Sequence, residues 1–175
     1  IQNNHPNMSV AGPYYMDQID DIKKTIAEQQ LDIVPVEGQE LDEEQQTALD
    51  DAIAQITDED IYNYILEMNP DVKGIFATNG DTTMQALTAC EGKDMKDVVI
   101  MGYDADQEEI DAMKDGRIAG MIVQNPYGMG YATVVAEARC VLNMGNEANV
   151  NTGYTWVTPD NIEDRTVQDI LYAEK

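Results

Sequence analysis

The stretch NPDVKGIFATNGD, residues 69–81, decides the fold. Pro70 stops a preceding helical pattern, and Gly74 to Ala77 then reads as a short apolar strand. The strand ends on a polar residue, Asn79, followed by Gly80 and Asp81. Asp81 can cap a helix that carries Met84, Leu87 and Cys90. The unit is therefore strand, polar turn, helix. It recurs twice downstream. VVIMGYDAD, residues 98–106, delivers Asp104 behind a strand from Val98 to Met101, and a helix with Ile110 and Met113 follows, ending at Gly116. AGMIVQNP, residues 119–126, delivers Gln124 behind a strand from Ile118 to Val123, and a long apolar helix then runs from Pro126 to about Met144.

Working outward, the same alternation extends towards the start of the chain. Met8 to Ala11 and Leu31 to Val36 read as strands. Met16, Ile19, Ile22 and Ile26 recur at helical spacing between them. A second amphipathic pattern carries Leu41, Ala48, Leu49, Ala52, Ile53 and Ile56. Thr57 with Asp60 forms a capping box for a further helix with Ile61, Ile65 and Met68. Tyr154 to Val157 is a last strand. Continuous apolar strands suit a parallel sheet covered on both faces. The expectation is an α/β fold with a doubly wound, flavodoxin-like parallel sheet of about five strands and helices on both faces, residues 1–175 forming one lobe.

Composition narrows the function. Ten Lys and Arg face 34 Asp and Glu, a net charge of −24 that repels phosphate backbones and anionic lipid, so nucleic acid is not expected as a partner. Most of these carboxylates are expected to solvate helix faces. Cys90 and Cys140 form no metal motif or disulfide framework, and both are expected to be buried free thiols. No apolar run reaches the length of a membrane span. His5 is the sole histidine, and no P-loop, GxSxG or GxGxxG pattern accompanies a strand-to-helix turn, so catalysis, metals and cofactors are not expected.

In parallel α/β sheets, ligands sit beyond the carboxyl ends of the strands. Asn79, Asp104 and Gln124 all fall there. A carboxylate accepts two hydroxyl bonds and amides both donate and accept, which suits a polyhydroxyl ligand. Each residue also has a plainer reading: Asn79 as a turn former, Asp104 as a helix cap in place of Asp106, Gln124 as a loop residue. The acids at 104, 106, 108 and 109 lack the spacing of a Ca²⁺ loop and suit a helix N-terminus instead.

The segments NPDVKGIFATNGD, VVIMGYDA, IDAMKDGRIAGMIVQNPYGMGY and VTPDNIED, in that order, resemble the type I periplasmic binding proteins of the ribose and galactose group, over Pro70 to Asp164. The resemblance implies the C-terminal ligand-binding lobe of a two-lobe protein. Residues 126–145 would return to pack on the other lobe, and residues 154–160 would form the final hinge strand. Asn79, Asp104 and Gln124 would bind sugar hydroxyls. The family has an Arg-containing loop after the first strand of this lobe, whereas this chain reads GPYYMDQID, so Tyr14 or Tyr15 is the candidate contact there.

The implied function is binding a monosaccharide or similar polar solute outside the cytoplasm, by hinge closure, for an ABC-type permease or a sensor kinase. The sensor half of a LacI-type regulator and a flavodoxin-like enzyme remain the alternatives. The apolar helix after Pro126 is expected to fold back on its own lobe or to pack against a second copy as a homodimer.

Overall fold

Isoleucines at helical spacing build the first part of the chain. The computed structural model describes residues 9–14, 16–34, 36 and 40–171, and divides into two compact units, Ile1–Val72 and Lys73–Lys175. In the first unit, α1 (Met16–Gln30) packs against α2 (Glu43–Gln55) and α3 (Asp58–Met68). Ile26, Ile56 and Ile61 are buried together, with Ile19, Ile22, Tyr64 and Ile65 against them. The Thr57–Asp60 capping box is present. Thr57 Oγ1 accepts the Asp60 N–H at 3.3 Å, and Asp60 Oδ2 accepts the Thr57 N–H at 2.8 Å. The Thr57 hydroxyl also donates to Asp60 Oδ2 at 2.6 Å, and that bond, with the Thr57 N–H, holds the Asp60 carboxyl below its ordinary range. Asp42 and Gln45 cap α2 in the same way.

The second unit is a four-stranded sheet in the order β1 (Gly74–Phe76), β2 (Val99–Tyr103), β3 (Gly120–Gln124), β4 (Tyr154–Val157). The first three strands are parallel and β4 is antiparallel to β3. Between them run α4 (Gly80–Gly92), α5 (Gln107–Lys114) and α6 (Pro126–Val141), with a short α7 (Arg165–Gln168) at the end. One face of the sheet carries the core: Ile100, Met121, Val123 and Val157 are buried, as are Met113 and Ile118 beside them. The alternate residues Phe76, Val99 and Trp156 stay about half exposed. Gly102 lets α4 approach β2 closely: a Cβ there would lie 2.5 Å from Thr83 Cγ2, and Thr83 has no freedom to retreat because it is fully buried.

The α/β class with a parallel sheet is as expected, but the strand count differs. Among the described residues, 9–11, 31–34 and 36 form no strand, while Met8 and Pro35 lie outside them. Val34 and Val36 are exposed. Apolar β-branched residues favour extended backbone, but only hydrogen bonds from a neighbour make it a strand. The helix after Asn79 is capped by Asn79 itself and not by Asp81. Cys90 is buried as expected. Cys140 is exposed, because no residue of α6 is buried. That helix therefore does not fold back on its own unit. Tyr127 and Val141 at its two ends are 83% and 82% exposed.

Candidate functional site

The parallel ladder brings the strand-end residues to one level. Gly74 pairs with Val99, and the same offset carried past the strand ends sets Asn79 beside Asp104. The β2–β3 offset, Met101 to Gly120, sets Asp104 beside Val123, one residue short of Gln124. Asn79 and Asp104 line a single cavity of about 310 Å³ with Gly80, Asp81 and Asp106. That volume lies at the small end of small-molecule sites. Gln124 ends the next strand but does not line this cavity. Its cross-strand partner is Tyr154, whose side chain shares its face of the sheet and is largely exposed.

Asn79 does two jobs locally. Its Oδ1 accepts the Thr82 N–H at 2.9 Å, closing the start of α4, and its carbonyl accepts the hydroxyls of Thr82 and Thr83 at 3.1 and 2.7 Å. The side-chain amide Nδ2 remains as a donor at the cavity. Asp104 is not a helix cap. Asp106 is the N-cap of α5, its Oδ1 accepting the Glu109 N–H at 3.1 Å. Asp104 instead has φ +76°, a left-handed conformation that costs an L-residue on the order of 1 kcal/mol. It is held there because its N–H donates to the Ile122 carbonyl at 3.0 Å while its Oδ2 accepts the Gly80 N–H at 3.3 Å. The carboxylate thus lies at the N-terminus of α4, where the unpaired N–H groups of a first turn favour negative charge.

The resulting surface is rich in acceptors. Asp81, Asp104 and Asp106 supply six carboxylate oxygens, and Asn79 supplies amide hydrogens. A ligand that donates several hydrogen bonds and accepts a few fits that inventory. Among the described residues no group of three or more His, Cys, Asp or Glu is placed to hold a metal ion.

Tyr14 belongs to the first unit. Its hydroxyl accepts a hydrogen bond from Asn69 Nδ2 at 3.0 Å, and it lines a separate cavity of about 250 Å³ with Gln18, Asp21, Ile22, Thr25 and Tyr64. Tyr15 lies outside the described residues. Sequence reasoning treated Asp81 and Asp106 as caps and did not place them at the cavity. Both stand within two residues of a candidate contact, and that proximity was the available signal. Glu109 was also missed. It is 0% exposed, and burial pushes its carboxyl up to about 7, with the neighbouring Asp106 and Asp104 charges acting in the same direction and the hydrogen bond from the Asp106 N–H and the nearby Thr83 hydroxyl acting against it.

The family model described as periplasmic binding protein domain matches residues 10–139. The ribose import binding protein RbsB of Salmonella typhimurium is 35% identical over 66 residues, covering 38% of this chain and 22% of that protein. Among solved structures, an ABC transporter solute binding protein from Agrobacterium vitis with bound D-fucose superposes with a TM-score of 0.60 at 21% identity, over 89% of this chain and 63% of that one. A carbohydrate transporter solute binding protein from Agrobacterium radiobacter, in complex with D-arabinose, gives 0.59 at 22% identity, over 87% and 61%. At these identities the structural likenesses speak to fold. The chain spans less than two thirds of each of these relatives.

Proposed function

Because this chain belongs to the periplasmic binding protein domain family, we propose that it is the C-terminal lobe of a two-lobe extracytoplasmic receptor for a monosaccharide. One observation carries the reading: Asn79 and Asp104 lie just past the ends of adjacent parallel strands, around a cavity whose acceptors match sugar hydroxyls. The Gly80 N–H orients the Asp104 carboxylate before any ligand arrives, which lowers the ordering cost of binding. Gln124, at the end of β3, contributes from the neighbouring strand. The names of the relatives, ribose import and proteins holding D-fucose or D-arabinose, support a pentose or hexose as the ligand class.

In this reading α6 is covered by the other lobe. Its apolar residues Tyr131, Val134 and Val141 are exposed, and a helix apolar on most of its surface is normally buried. β4, Tyr154–Val157, then forms the last hinge strand, and closure of the two lobes encloses the sugar. The closed receptor delivers it to an ABC-type permease or a sensor kinase. The protein binds its ligand and does not transform it.

Calorimetric titration of the full-length protein with D-ribose, D-arabinose and D-fucose tests the proposal. Saturable one-to-one binding of at least one sugar, at micromolar or tighter affinity, is expected. Heats indistinguishable from dilution across the whole panel would overturn the sugar assignment.

A further inference from the structure

Glu109 lies in an acidic run, QEEID, in which Gln107, Glu108 and Asp111 are exposed while Glu109 has no accessible surface. Its carboxyl is wedged between two helix starts. Oε2 accepts the Asp106 N–H at 3.2 Å, completing the box in which Asp106 Oδ1 accepts the Glu109 N–H. A Cβ added to Gly80 would sit 3.2 Å from Oε2 and 3.5 Å from Asp106 Oδ2, so these carboxylates fill the space that the glycine leaves open. Oε1 is buried without a hydrogen-bond partner. The Thr83 hydroxyl also acts on the carboxyl, but its one proton goes to the Asn79 carbonyl at 2.7 Å. The same hydroxyl oxygen accepts the Tyr103 N–H at 3.4 Å, one residue before Asp104. Glu109 therefore adjoins the backbone of both candidate contacts: Asn79 by way of Gly80 and Thr83, and Asp104 by way of Tyr103 and Asp106.

We propose that Glu109 is a positioning residue for the ligand site, its buried carboxyl setting the separation of the α4 and α5 starts and with it the placement of Asn79 and Asp104. The inference rests on the reading of those two residues as ligand contacts. The charges acting on Glu109 are both negative: Asp106 and Asp104, from the β2–α5 connection. A neutral carboxyl fits this pocket. An ionised one is a buried charge beside two others, relieved only if the helix starts part to admit water. Burial brings the Glu109 carboxyl up to about 7, so both forms are populated near neutral pH. Parting the helix starts separates Asn79 from Asp104, so affinity falls as pH rises through that value.

Two readouts on the full-length protein separate this claim from the ligand reading. In the sugar-free protein, the backbone amide resonances of Gly80, Asp104 and Asp106 are followed from acid to alkaline pH. They are expected to share one transition near neutrality, which Glu109→Gln abolishes. With D-ribose as the probe, parent affinity is expected to fall by about threefold or more between pH 6 and pH 8.5, while Glu109→Gln binds at both pH values like the acidic parent. Glutamine keeps the shape and the Asp106 contact, so a purely structural role would leave the two pH profiles parallel. Parallel affinity profiles, or an amide transition that survives the substitution, would overturn the positioning role. A shared amide transition without sugar binding at any pH would overturn the ligand reading and leave the coupling of the helix starts standing.

Discussion

Replacing Glu109 with glutamine should stabilise the second unit, and the gain should grow with pH. In the folded chain the carboxyl has no exposed surface, one unpartnered oxygen and two carboxylate neighbours. It keeps its proton up to about 7, against an ordinary value of 4.5 in the unfolded chain. Between those values the unfolded chain holds fewer protons than the folded one, so stability falls as pH rises. Below 4.5 both forms are protonated and the loss is absent, and above 7 it is complete. The interval corresponds to about 3 kcal/mol. Glutamine never ionises, so the advantage of the variant should increase by roughly 2–3 kcal/mol between pH 5 and pH 8.5. The remaining acidic charge is common to both proteins and cancels in the difference. Urea unfolding followed by Trp156 fluorescence reads the relevant unit, since Trp156 is the sole tryptophan and lies on β4. An advantage of constant size across that pH range would show that Glu109 ionises freely in the fold, and the reasoning would fail.

Three further outcomes are expected. Asp104→Gly should be more stable than Asp104→Ala by about 1 kcal/mol, because both lose the Gly80 contact but only glycine accepts φ +76° without strain; equal stabilities in urea unfolding would remove the strain argument. Gly102→Ala should cost about 1–3 kcal/mol in the same assay, since its methyl would clash with the fully buried Thr83, whose hydroxyl holds the Asn79 carbonyl; a neutral effect would mean that α4 is loosely seated on β2. With a disulfide thiol reagent, Cys90 should react only on unfolding, because it is buried and burial and the adjacent Glu91 push its thiol up; labelling of Cys90 in the folded protein would contradict the packing of α4.

The second unit was largely legible in sequence because each strand is a continuous apolar run ending in a polar residue. VVIMGYDAD and AGMIVQNP gave β2 and β3 to within two residues, and the Thr57–Asp60 box fixed the start of α3. The direction of β4 was not legible. YTWV specifies extended backbone, but where the chain re-enters the sheet depends on the whole excursion from α6, which no local residue records. Residues 9–11, 31–34 and 36 carry strand-forming side chains but, among the described residues, pair with no strand. Cys140 looked buried because α6 is apolar nearly all round, a pattern that reports what the helix can bury and not what is present to cover it.

At the site, the level of Asn79 and Asp104 followed from strand–turn–helix units of similar form. Their division of labour did not: Asn79 caps α4, Asp106 caps α5, and Asp104 is left strained and turned to the cavity. Glu109 was hidden among neighbours of the same charge. Only the fold distinguishes a carboxylate beneath Gly80 from one in water.

The most direct test of the account is calorimetric titration of the full-length protein and its Asp104→Ala variant with the tightest sugar of the pentose and hexose panel. The account predicts a loss of about 2–5 kcal/mol, or roughly thirty- to several-thousand-fold in Kd, as expected for removing a charged partner from a desolvated hydrogen-bonded site. An unchanged Kd would mean that Asp104 serves only to hold Gly80, and that the ligand lies elsewhere.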